Sequence, residues 1–242
     1  MKFIKQRWKA ISNSLAGTEK YFKKSPSNIV QQSALKSLLQ QYANKTFLDI
    51  GAGRSVYKKI LPAGIEYHAL DYEETEGGYN KDSSLDIVGD VQDMPIENNT
   101  YDSILCSEVL EHVPHPAQAA KEIMRVLKPG GTAIITVPFL GYYHDEPYDF
   151  FRFTKHGLRI LFSDAGAEIV EQQALGGLCC FLGYIRSTIV LSLCYRIPVL
   201  WTLAFYCNYL LSIIDLALDS IFHTGSVMPL TNIIVVRKQT QT

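Results

Sequence analysis

Cysteine is scarce in this sequence, and so is charge. The five cysteines (Cys106, Cys179, Cys180, Cys194 and Cys207) are odd in number, and none of them form a CxxC pair. This pattern disfavours a disulfide or zinc framework and favours buried free thiols in a reducing compartment. The net charge of -1 gives no basic face of the kind that nucleic acid requires, so no nucleic-acid partner is expected.

A secretory signal is not expected either, because no apolar run follows the basic N-terminal residues. Residues 1–24 instead interleave lysines with apolar residues at helical spacing, namely Ile4, Trp8, Ile11 and Leu15. A basic amphipathic helix that contains tryptophan can lie on an anionic membrane surface. The alternative is that the apolar stripe packs on the rest of the protein while the lysines are solvated.

No internal repeat is visible, and from residue 46 onward strands alternate with helices. Apolar runs predict strands at 46–50, 66–71, 85–90, 101–107, 132–137, 168–174 and 232–237. Helical periodicity predicts helices at 29–42, 56–61, 116–127 and 154–165. This alternation predicts an α/β fold with a Rossmann-like, doubly wound sheet of about seven strands. The sheet should be mostly parallel, with an antiparallel closing strand.

The first predicted strand ends in a glycine-rich corner. Gly51 and Gly53 permit a sharp turn and a close approach of the backbone to a ligand at the carboxyl end of a parallel sheet. Asp71 lies about 20 residues further on, where an acid holds ribose hydroxyls. Val56, however, stands where a dinucleotide-binding fingerprint has its third glycine. The pattern therefore favours S-adenosylmethionine, which has ribose and adenine but no phosphate, over a nicotinamide dinucleotide.

Four motifs follow one another along this part of the chain. They read LDIGAG at Leu48–Gly53, GDVQDMPI at Gly89–Ile96, SEVLEHV at Ser107–Val113 and RVLKPGG at Arg125–Gly131. In this order and spacing they resemble the motifs of class I S-adenosylmethionine-dependent methyltransferases of the type 11 kind. The resemblance covers residues 47–174 and resumes at the last strand. It implies a methyltransferase whose cofactor is S-adenosyl-L-methionine.

The resemblance also implies which residues bind the methionine half of the cofactor. Gly51 and Gly53 would line the methionine and ribose part, and Asp49 would position the methionine amino group directly or through water. Ser107 would lie near the methionine end.

The resemblance implies four further residues that contact the adenosine half of the cofactor. Asp71 would accept hydrogen bonds from the ribose hydroxyls, with Tyr72 flanking the adenine. Asp90 would accept from the adenine amino group, and Val91 would line the adenine face.

A narrower resemblance covers Val137–Leu158, which is similar to a PF…H..PxDyxRfT..GL segment of methyltransferases often associated with bacterial surface-glycan synthesis. The stretch after the fifth strand faces the transferred methyl in this fold. The resemblance therefore implies His144 as a catalytic general base for a sugar hydroxyl, with a loop-ordering role as the alternative. Asp149 and Arg152 would bind substrate, or pair with each other and brace the loop.

Other residues near His144 receive less specific interpretations. Tyr143 could bind substrate by stacking on a sugar face, or belong to a hydrophobic lid. Glu111 and His112 are interpreted as residues that start a helix. No metal is expected, because the adjacent His144, Asp145 and Glu146 are neighbours that rarely converge on one ion.

An apolar insert, 178–222, precedes the last strand. Its only charged residues are Arg186, Arg196, Asp215 and Asp219. It could be a helical hairpin that dips into a membrane, a helical cap over a lipid-linked acceptor, or a dimer interface or buried helical pair. One full span is excluded topologically, because both ends return to the same sheet edge.

Four regions are expected: an N-terminal helical cap (1–45), the S-adenosylmethionine-binding core (46–177), the apolar insert (178–225) and the last strand with its tail (226–242). The expected activity is O-methylation of a glycan or lipid-linked saccharide in the cytoplasm, at the inner face of the cell membrane, with peripheral membrane contact through 1–24 and 178–222. A small-molecule or lipid methyltransferase is the alternative. An alternative of another class is a non-catalytic cofactor-binding or membrane-scaffolding protein.

Overall fold

The structure is a computed structural model that describes residues 2–15, 26–72 and 85–240. The basic segment predicted over 1–24 therefore lies outside the described residues from position 16 onward. The described residues divide into two compact units. We call them the sheet unit (34–72, 85–173 and 232–240) and the helical unit (2–15, 26–33 and 174–231). The domain boundaries expected from the sequence stay predictions.

The sheet has seven strands, β1 Thr46–Ile50, β2 Glu66–Asp71, β3 Ile87–Val88, β4 Tyr101–Ser107, β5 Leu127–Pro138, β6 Ala167–Leu175 and β7 Thr231–Lys238. Their order across the sheet is β3-β2-β1-β4-β5-β7-β6. The pairs β2–β3, β1–β2, β1–β4 and β4–β5 are parallel. The predicted α/β class, with a doubly wound and mostly parallel sheet that also contains antiparallel strands, is confirmed.

The α-helices are α1 Lys2–Leu15, α2 Pro26–Tyr42, α3 Pro116–Val126, α4 Lys155–Asp164, α5 Leu178–Cys194 and α6 Pro198–Phe222. Short 3-10 helices span Val56–Ile60, Leu110–His112 and Thr224–Ser226. Local chemistry explains two of the helix starts. Pro116 occupies the first turn of α3, where a missing N–H costs nothing. The Thr154 hydroxyl accepts a hydrogen bond from the Gly157 N–H at 3.0 Å and so caps α4.

Three elements differ from the sequence prediction. The strand expected at 85–90 is reduced to Ile87–Val88, because the Asp90 carboxylate accepts from the backbone N–H of Gln92 at 2.8 Å and turns the chain. The helix expected at 56–61 is a single 3-10 turn.

The third difference is the start of β5, at Leu127 instead of residue 132. Leu127 already pairs with Tyr101, and the register then shifts at a bulge. Gly131 fits this bulge because a Cβ there would lie 2.9 Å from the carbonyl oxygen of Asp102. The glycine pair therefore lies within an irregular strand instead of in a turn before it.

The core of the sheet unit is built from the buried faces of the central strands and of α3. Residues 47–50 of β1, 103–106 of β4 and 133–138 of β5 are continuously buried, as expected for strands that are covered on both faces. α3 contributes a stripe at helical spacing, with Ala119, Ala120, Ile123 and Val126 all fully buried. This core holds the carboxyl ends of β1, β2 and β4 side by side.

In the helical unit, α1 packs on α5, and α5 packs on α6. Trp8 and Ile11 of α1 are buried, whereas Phe3 is half exposed. The Arg7 guanidinium donates to the carbonyl oxygens of Ser192 and Leu193 at 3.2 and 3.3 Å, close to the C-terminus of α5. A cation is favourable there because it satisfies terminal carbonyl groups. Two residues of the predicted amphipathic stripe are thus used in packing within the protein.

Acidic side chains of α6 hold the α5–α6 hairpin together. Asp219 accepts from the backbone N–H groups of Cys179 and Cys180, both at 2.8 Å, and so caps α5 from a remote position. One helical turn earlier, Asp215 pairs with Arg186 at 2.7 Å. These contacts use three of the four charges of the apolar insert.

The outer surface of the hairpin is apolar. Large side chains that are more than half exposed include Leu182, Leu193, Ile197, Val199, Leu203, Leu210, Ile214, Ile221 and Phe222. Among the described residues, α6 is the one helix long and apolar enough to cross a membrane by length and composition, and 28% of its most apolar window is buried in the protein. This exposure does not fit an ordinary buried helical pair.

Candidate active site

The glycine corner follows β1 at the carboxyl edge of the sheet. Gly51 and Gly53 have φ values of +69° and +50°, in the left-handed region that favours glycine. A Cβ on Gly51 would lie 2.3 Å from Cγ2 of Val109, so the turn has room for glycine alone. The Gly51 N–H donates to the carbonyl oxygen of Leu70 at 2.8 Å, which ties the corner to β2.

Asp71 closes the corner from the end of β2. Its Oδ2 accepts from the Gly53 N–H at 2.9 Å, and its Oδ1 accepts from the Tyr72 N–H at 2.8 Å. The side chain is partly exposed, so the remaining lone pairs face solvent. The sequence placed Asp71 as the ribose acceptor, and the structure brings it next to the glycine turn.

Asp49 lies beneath the corner. The residue is 1% exposed, and the Tyr67 hydroxyl donates to its Oδ2 at 2.7 Å. Burial raises the pKa of Asp49 to about 7; the Tyr67 hydrogen bond opposes this shift, and the charge of Asp71 adds to it. Asp49 therefore exchanges a proton near neutral pH, where a nearby cation would favour its charged form.

The residues expected around the adenine form a hydrogen-bonded group next to β3. The Tyr72 hydroxyl donates to Asp90 Oδ2 at 2.5 Å, and Gln92 Nε2 donates to the same oxygen at 2.9 Å. The bond to Asp90 is the main cause that raises the pKa of Tyr72 to about 12. Tyr72 is 59% exposed and thus accessible to a ligand, whereas Val91 is buried in the core of the sheet unit.

Ser107 ends β4 and faces a second tyrosine. Its hydroxyl lies 2.9 Å from that of Thr136 and 3.3 Å from that of Tyr57. The sequence did not indicate Tyr57, because the residue comes from the 3-10 turn behind the glycine corner and meets β4 only in the fold. Burial raises the pKa of Tyr57, so it stays a neutral donor.

A second cluster lies where the chain leaves β4 and β5. The Nε2 atoms of His112 and His144 lie 3.6 and 3.9 Å from Glu111 Oε1. The two imidazole rings meet edge to face, with their centroids 4.7 Å apart. Glu111 is fully buried, and neither of its carboxylate oxygens accepts a hydrogen bond from another residue. Burial, together with the charge of Glu108, raises the pKa of Glu111 well above its ordinary range.

The sequence indicated His144 but not its two partners. Glu111 and His112 were interpreted as residues that start a helix, and they do lie in the 3-10 turn Leu110–His112. A stronger signal was available. Adjacent parallel strands end at the same edge, so acidic and histidine residues that follow β4 and β5 are expected to meet.

The loop that carries His144 is held by an ion pair. Arg152 Nη1 and Nη2 donate to the two carboxylate oxygens of Asp149 at 2.5 and 2.8 Å. Asp149 also accepts from the backbone N–H of His144 at 2.9 Å. Burial opposes ionisation of Asp149, but these donors outweigh it and keep its pKa below the ordinary value. Asp149 and Arg152 therefore pair and brace the loop, while their direct binding of substrate stays a prediction.

Aromatic residues of the same loop are exposed beside this cluster. Tyr143 and Tyr148 are 74% and 64% exposed, and Phe150 is 44% exposed. The backbone N–H of Phe150 donates to the carbonyl oxygen of Glu111 at 2.8 Å, which anchors the loop to the end of β4. These rings are available to a ligand that approaches His144.

Comparison with known proteins agrees with this geometry. Residues 48–135 match the family model for the methyltransferase domain. An uncharacterized chloroplastic methyltransferase of Arabidopsis thaliana is 23% identical over 169 residues, which are 63% of this chain and 46% of that protein. The chain spans less than half the length of the first curated relatives that it matches.

Two solved structures show the same fold. The [4+2]-cyclase SpnF aligns with a TM-score of 0.59 and 17% identity over 87% of this chain and 82% of that one. Phosphoethanolamine N-methyltransferase 2 of Haemonchus contortus, solved with S-adenosylhomocysteine, aligns with a TM-score of 0.56 and 16% identity over 98% of this chain and 61% of that one. At these identities the likeness shows the fold alone.

The domain match and the sheet order point to one class of protein. Residues 48–135 match a methyltransferase domain, the sheet has the Rossmann-like order of class I methyltransferases, and S-adenosyl-L-methionine is the cofactor that this match supports. The residues of the carboxyl edge fit this molecule. The turn has no side chains at Gly51 and Gly53, Asp71 offers acceptors to a diol, and Asp49 offers a carboxylate to a cation.

Proposed function

We propose that this protein transfers the methyl group of S-adenosylmethionine to a hydroxyl of a glycan or lipid-linked saccharide. The observation that carries the proposal is the location of His144, with exposed aromatic rings beside it, in the loop that leaves β5. The glycine corner and Asp71 follow β1 and β2 at the same edge of the sheet. These positions support a cofactor site and an acceptor site along one edge of the sheet.

The residues of the chain have distinct tasks in this proposal. When bound, the cofactor supplies an activated sulfonium methyl group, so the protein needs to align the acceptor oxygen and exclude water. The turn at Gly51 and Gly53 lets the backbone approach the cofactor closely. Asp71 binds the ribose, and Tyr72 and Asp90 contact the adenine. His144 activates the acceptor hydroxyl; as a free imidazole it would be the general base.

Exposed aromatic rings support a saccharide as the acceptor. Tyr143 and Tyr148 present flat apolar faces together with hydroxyl groups, and such faces can stack on sugar rings. Asp149, held by Arg152, keeps the loop in place instead of offering a free charge. A small molecule or a lipid is the alternative acceptor, since the fold itself does not select among these classes.

We also propose that the hairpin attaches the protein to the cytoplasmic face of a membrane. The exposed apolar side chains of α5 and α6 and the exposed Lys5 and Lys9 of α1 support a peripheral contact with anionic lipids. Because Trp8 is buried, the hairpin is the main apolar contact in this proposal, and α1 contributes charge.

Vesicle flotation tests the attachment. Burial of a valine or leucine side chain contributes about 1.5–3 kcal/mol, so Val199→Glu combined with Leu203→Glu should weaken binding to phosphatidylglycerol vesicles roughly tenfold or more. Ile160→Glu, at a residue of the sheet unit that is 60% exposed, is the matched control. Wild-type protein that stays with the soluble fraction at low salt would refute the attachment.

Two measurements separate the proposed activity from its rivals. Calorimetry should show binding of S-adenosylmethionine and not of NAD, which distinguishes a methyltransferase from a nicotinamide-dependent oxidoreductase. Formation of S-adenosylhomocysteine in the presence of a saccharide acceptor distinguishes an enzyme from a non-catalytic cofactor-binding protein. In that assay, His144→Asn should lower turnover by about 100-fold or more, the usual contribution of a group that activates the nucleophile. Its affinity for S-adenosylmethionine should be unchanged.

A further inference from the structure

Three side chains with metal-binding atoms converge beside the proposed acceptor site. Glu111 and His112 come from the 3-10 turn after β4, and His144 comes from the loop after β5. One ligand atom from each residue lies within 4.8 Å of the others. We propose that Glu111, His112 and His144 bind a divalent transition-metal ion.

The distances are close to those that an ion needs. Zinc binds nitrogen and oxygen ligands at about 2.0–2.2 Å, so two ligands at a tetrahedral angle lie about 3.4 Å apart. The observed separations from Glu111 Oε1 are 3.6 Å to His112 Nε2 and 3.9 Å to His144 Nε2. The ligand atoms of the two histidines lie within 4.8 Å of each other, so a side-chain shift of about 1 Å would complete the geometry.

Glu111 provides an independent indication of a cation. Its carboxylate is fully buried, and neither oxygen accepts a hydrogen bond from another residue. A buried carboxylate with so few donors is strongly unfavourable. The positive charge of Arg152 favours the ionised form of Glu111. This guanidinium, however, already donates hydrogen bonds to Asp149 through both terminal nitrogens. An ion between Glu111 and the two histidines would supply the missing partner.

The two histidines have the orientation expected of metal ligands. His112 Nδ1 lies 2.7 Å from the carbonyl oxygen of Tyr148, and His144 Nδ1 lies 3.3 Å from that of Tyr142. With the ring hydrogen on Nδ1, each Nε2 presents a lone pair toward Glu111. A backbone carbonyl that fixes the tautomer in this way is a common feature of metal-binding histidines.

The ligand set selects the class of ion. Two imidazoles and one carboxylate suit Zn²⁺, Co²⁺, Mn²⁺ or Fe²⁺, whereas Mg²⁺ and Ca²⁺ prefer oxygen ligands. The side chains of His112 and His144 are 23% and 29% exposed, so the cluster opens to solvent on the side of the histidines. Three protein ligands leave at least one coordination position for an oxygen ligand from that side.

Ion binding gives His144 a different role in methyl transfer, and this role rests on the proposed function. A ligated Nε2 has no lone pair for a proton. The ion would instead hold the acceptor oxygen and lower the pKa of its hydroxyl. The O–H bond then breaks with its electron pair staying on the oxygen, and the proton passes to water.

The experiment uses the full chain, freed of metal with a chelator and titrated with Zn²⁺, Mn²⁺ and Mg²⁺ by calorimetry. We expect one Zn²⁺ per chain, weaker binding of Mn²⁺ and no binding of Mg²⁺ at the same site. Glu111→Gln and His144→Asn should each weaken Zn²⁺ binding by about 100-fold, because each removes one of three ligands. His156→Asn, which changes an exposed histidine of α4, is the matched control and should bind as the wild type does.

S-adenosylmethionine affinity, measured on the same samples, shows that each variant is folded. Saturating Zn²⁺ should also raise the melting temperature of the wild type but not of Glu111→Gln. The inference is overturned if the wild type binds no Zn²⁺, or if Glu111→Gln and His144→Asn bind it as tightly as His156→Asn. Ion binding without methyl transfer would instead refute the proposed function, and undiminished methyl transfer by a metal-free protein would refute the part of the ion in activating the acceptor.

Discussion

The backbone N–H of Gly53 donates a hydrogen bond to Asp71 Oδ2 at 2.9 Å. This bond joins the turn after β1 to the acid at the end of β2, so the proposed methionine and ribose contacts are fixed relative to each other. The conformation of the turn and the position of the acid therefore depend on one another.

Replacement of Asp71 should weaken cofactor binding without unfolding the protein. Loss of a charged hydrogen-bond acceptor costs about 1–3 kcal/mol, so Asp71→Ala should raise the Kd for S-adenosylmethionine by roughly 5- to 150-fold in calorimetry. Asp164→Ala, which removes an exposed acid of α4, should leave the Kd unchanged. Equal affinities of Asp71→Ala and the wild type would refute the ribose assignment.

Cofactor affinity should depend on pH through Asp49. Because burial raises the pKa of this carboxyl from 3.8 to about 7, the uncharged form dominates below neutrality. A bound ammonium favours the ionised form, so the affinity for S-adenosylmethionine should rise between pH 5.5 and 7.5, with release of a proton. Asp49→Asn should flatten this profile, and a wild-type affinity that is independent of pH would contradict the assignment.

The same carboxyl affects folding stability with the opposite sign. The folded protein binds this proton more tightly than the unfolded chain, whose Asp49 has an ordinary pKa. The stabilising contribution of the Asp49 proton to the free energy of unfolding is therefore fully present below about pH 4 and is lost as the pH rises through about 7. Compared with the wild type, Asp49→Asn should show a smaller decline in unfolding free energy from pH 5 to pH 8, measured by urea denaturation in the absence of cofactor.

The α5–α6 hairpin should not tolerate a side chain at Gly183. A Cβ there would lie 2.1 Å from Asp215 Oδ2 and 3.3 Å from a terminal nitrogen of Arg186. Gly183→Ala would displace Asp215 from its ion pair, and overpacking of this kind costs about 1–3 kcal/mol. Hydrogen exchange of α5 and α6 should accelerate accordingly. At Gly141, where a Cβ meets nothing within 4 Å, the same substitution is the control.

The remote cap of α5 gives a separate prediction. Asp219→Ala removes the acceptor of the Cys179 and Cys180 N–H groups, and loss of a cap costs about 0.5–2 kcal/mol. Asp219→Asn keeps one side-chain acceptor, so its melting temperature should lie between those of Asp219→Ala and the wild type. If both variants melt at the wild-type temperature, the cap does not stabilise the hairpin.

Local patterns made much of the sheet unit predictable. β2 and β4 have the predicted bounds, because their apolar runs are bordered by turn residues and acids. The glycine corner was predictable as well, since its conformation depends on residues adjacent in sequence. The start of β5 was not, because Lys128–Gly131 forms a bulge that is set by pairing with β4 and not by the local glycines.

Contacts between distant segments were beyond local sequence patterns, because they depend on which strands and helices are neighbours. Glu111 meets His144 only because β4 and β5 are adjacent and parallel, and Asp219 caps α5 only after the hairpin has closed. The side chains that share a possible ion site with His144 are not its neighbours along the chain, since Glu111 and His112 come from a different strand end. Periodicity identified the stripe of α1, but whether Trp8 faces lipid or protein depended on the packing of α5.

Transfer of a labelled methyl group to a saccharide tests the central proposal most directly. Purified protein would be incubated with methyl-labelled S-adenosylmethionine and a cell-envelope extract from a strain that lacks the gene. We expect label in the glycan or lipid-linked saccharide fraction as an alkali-stable methyl ether, and much less label with Asp71→Ala or His144→Asn at equal enzyme concentration. A protein that binds S-adenosylmethionine but transfers no label to any saccharide fraction would contradict the proposed function.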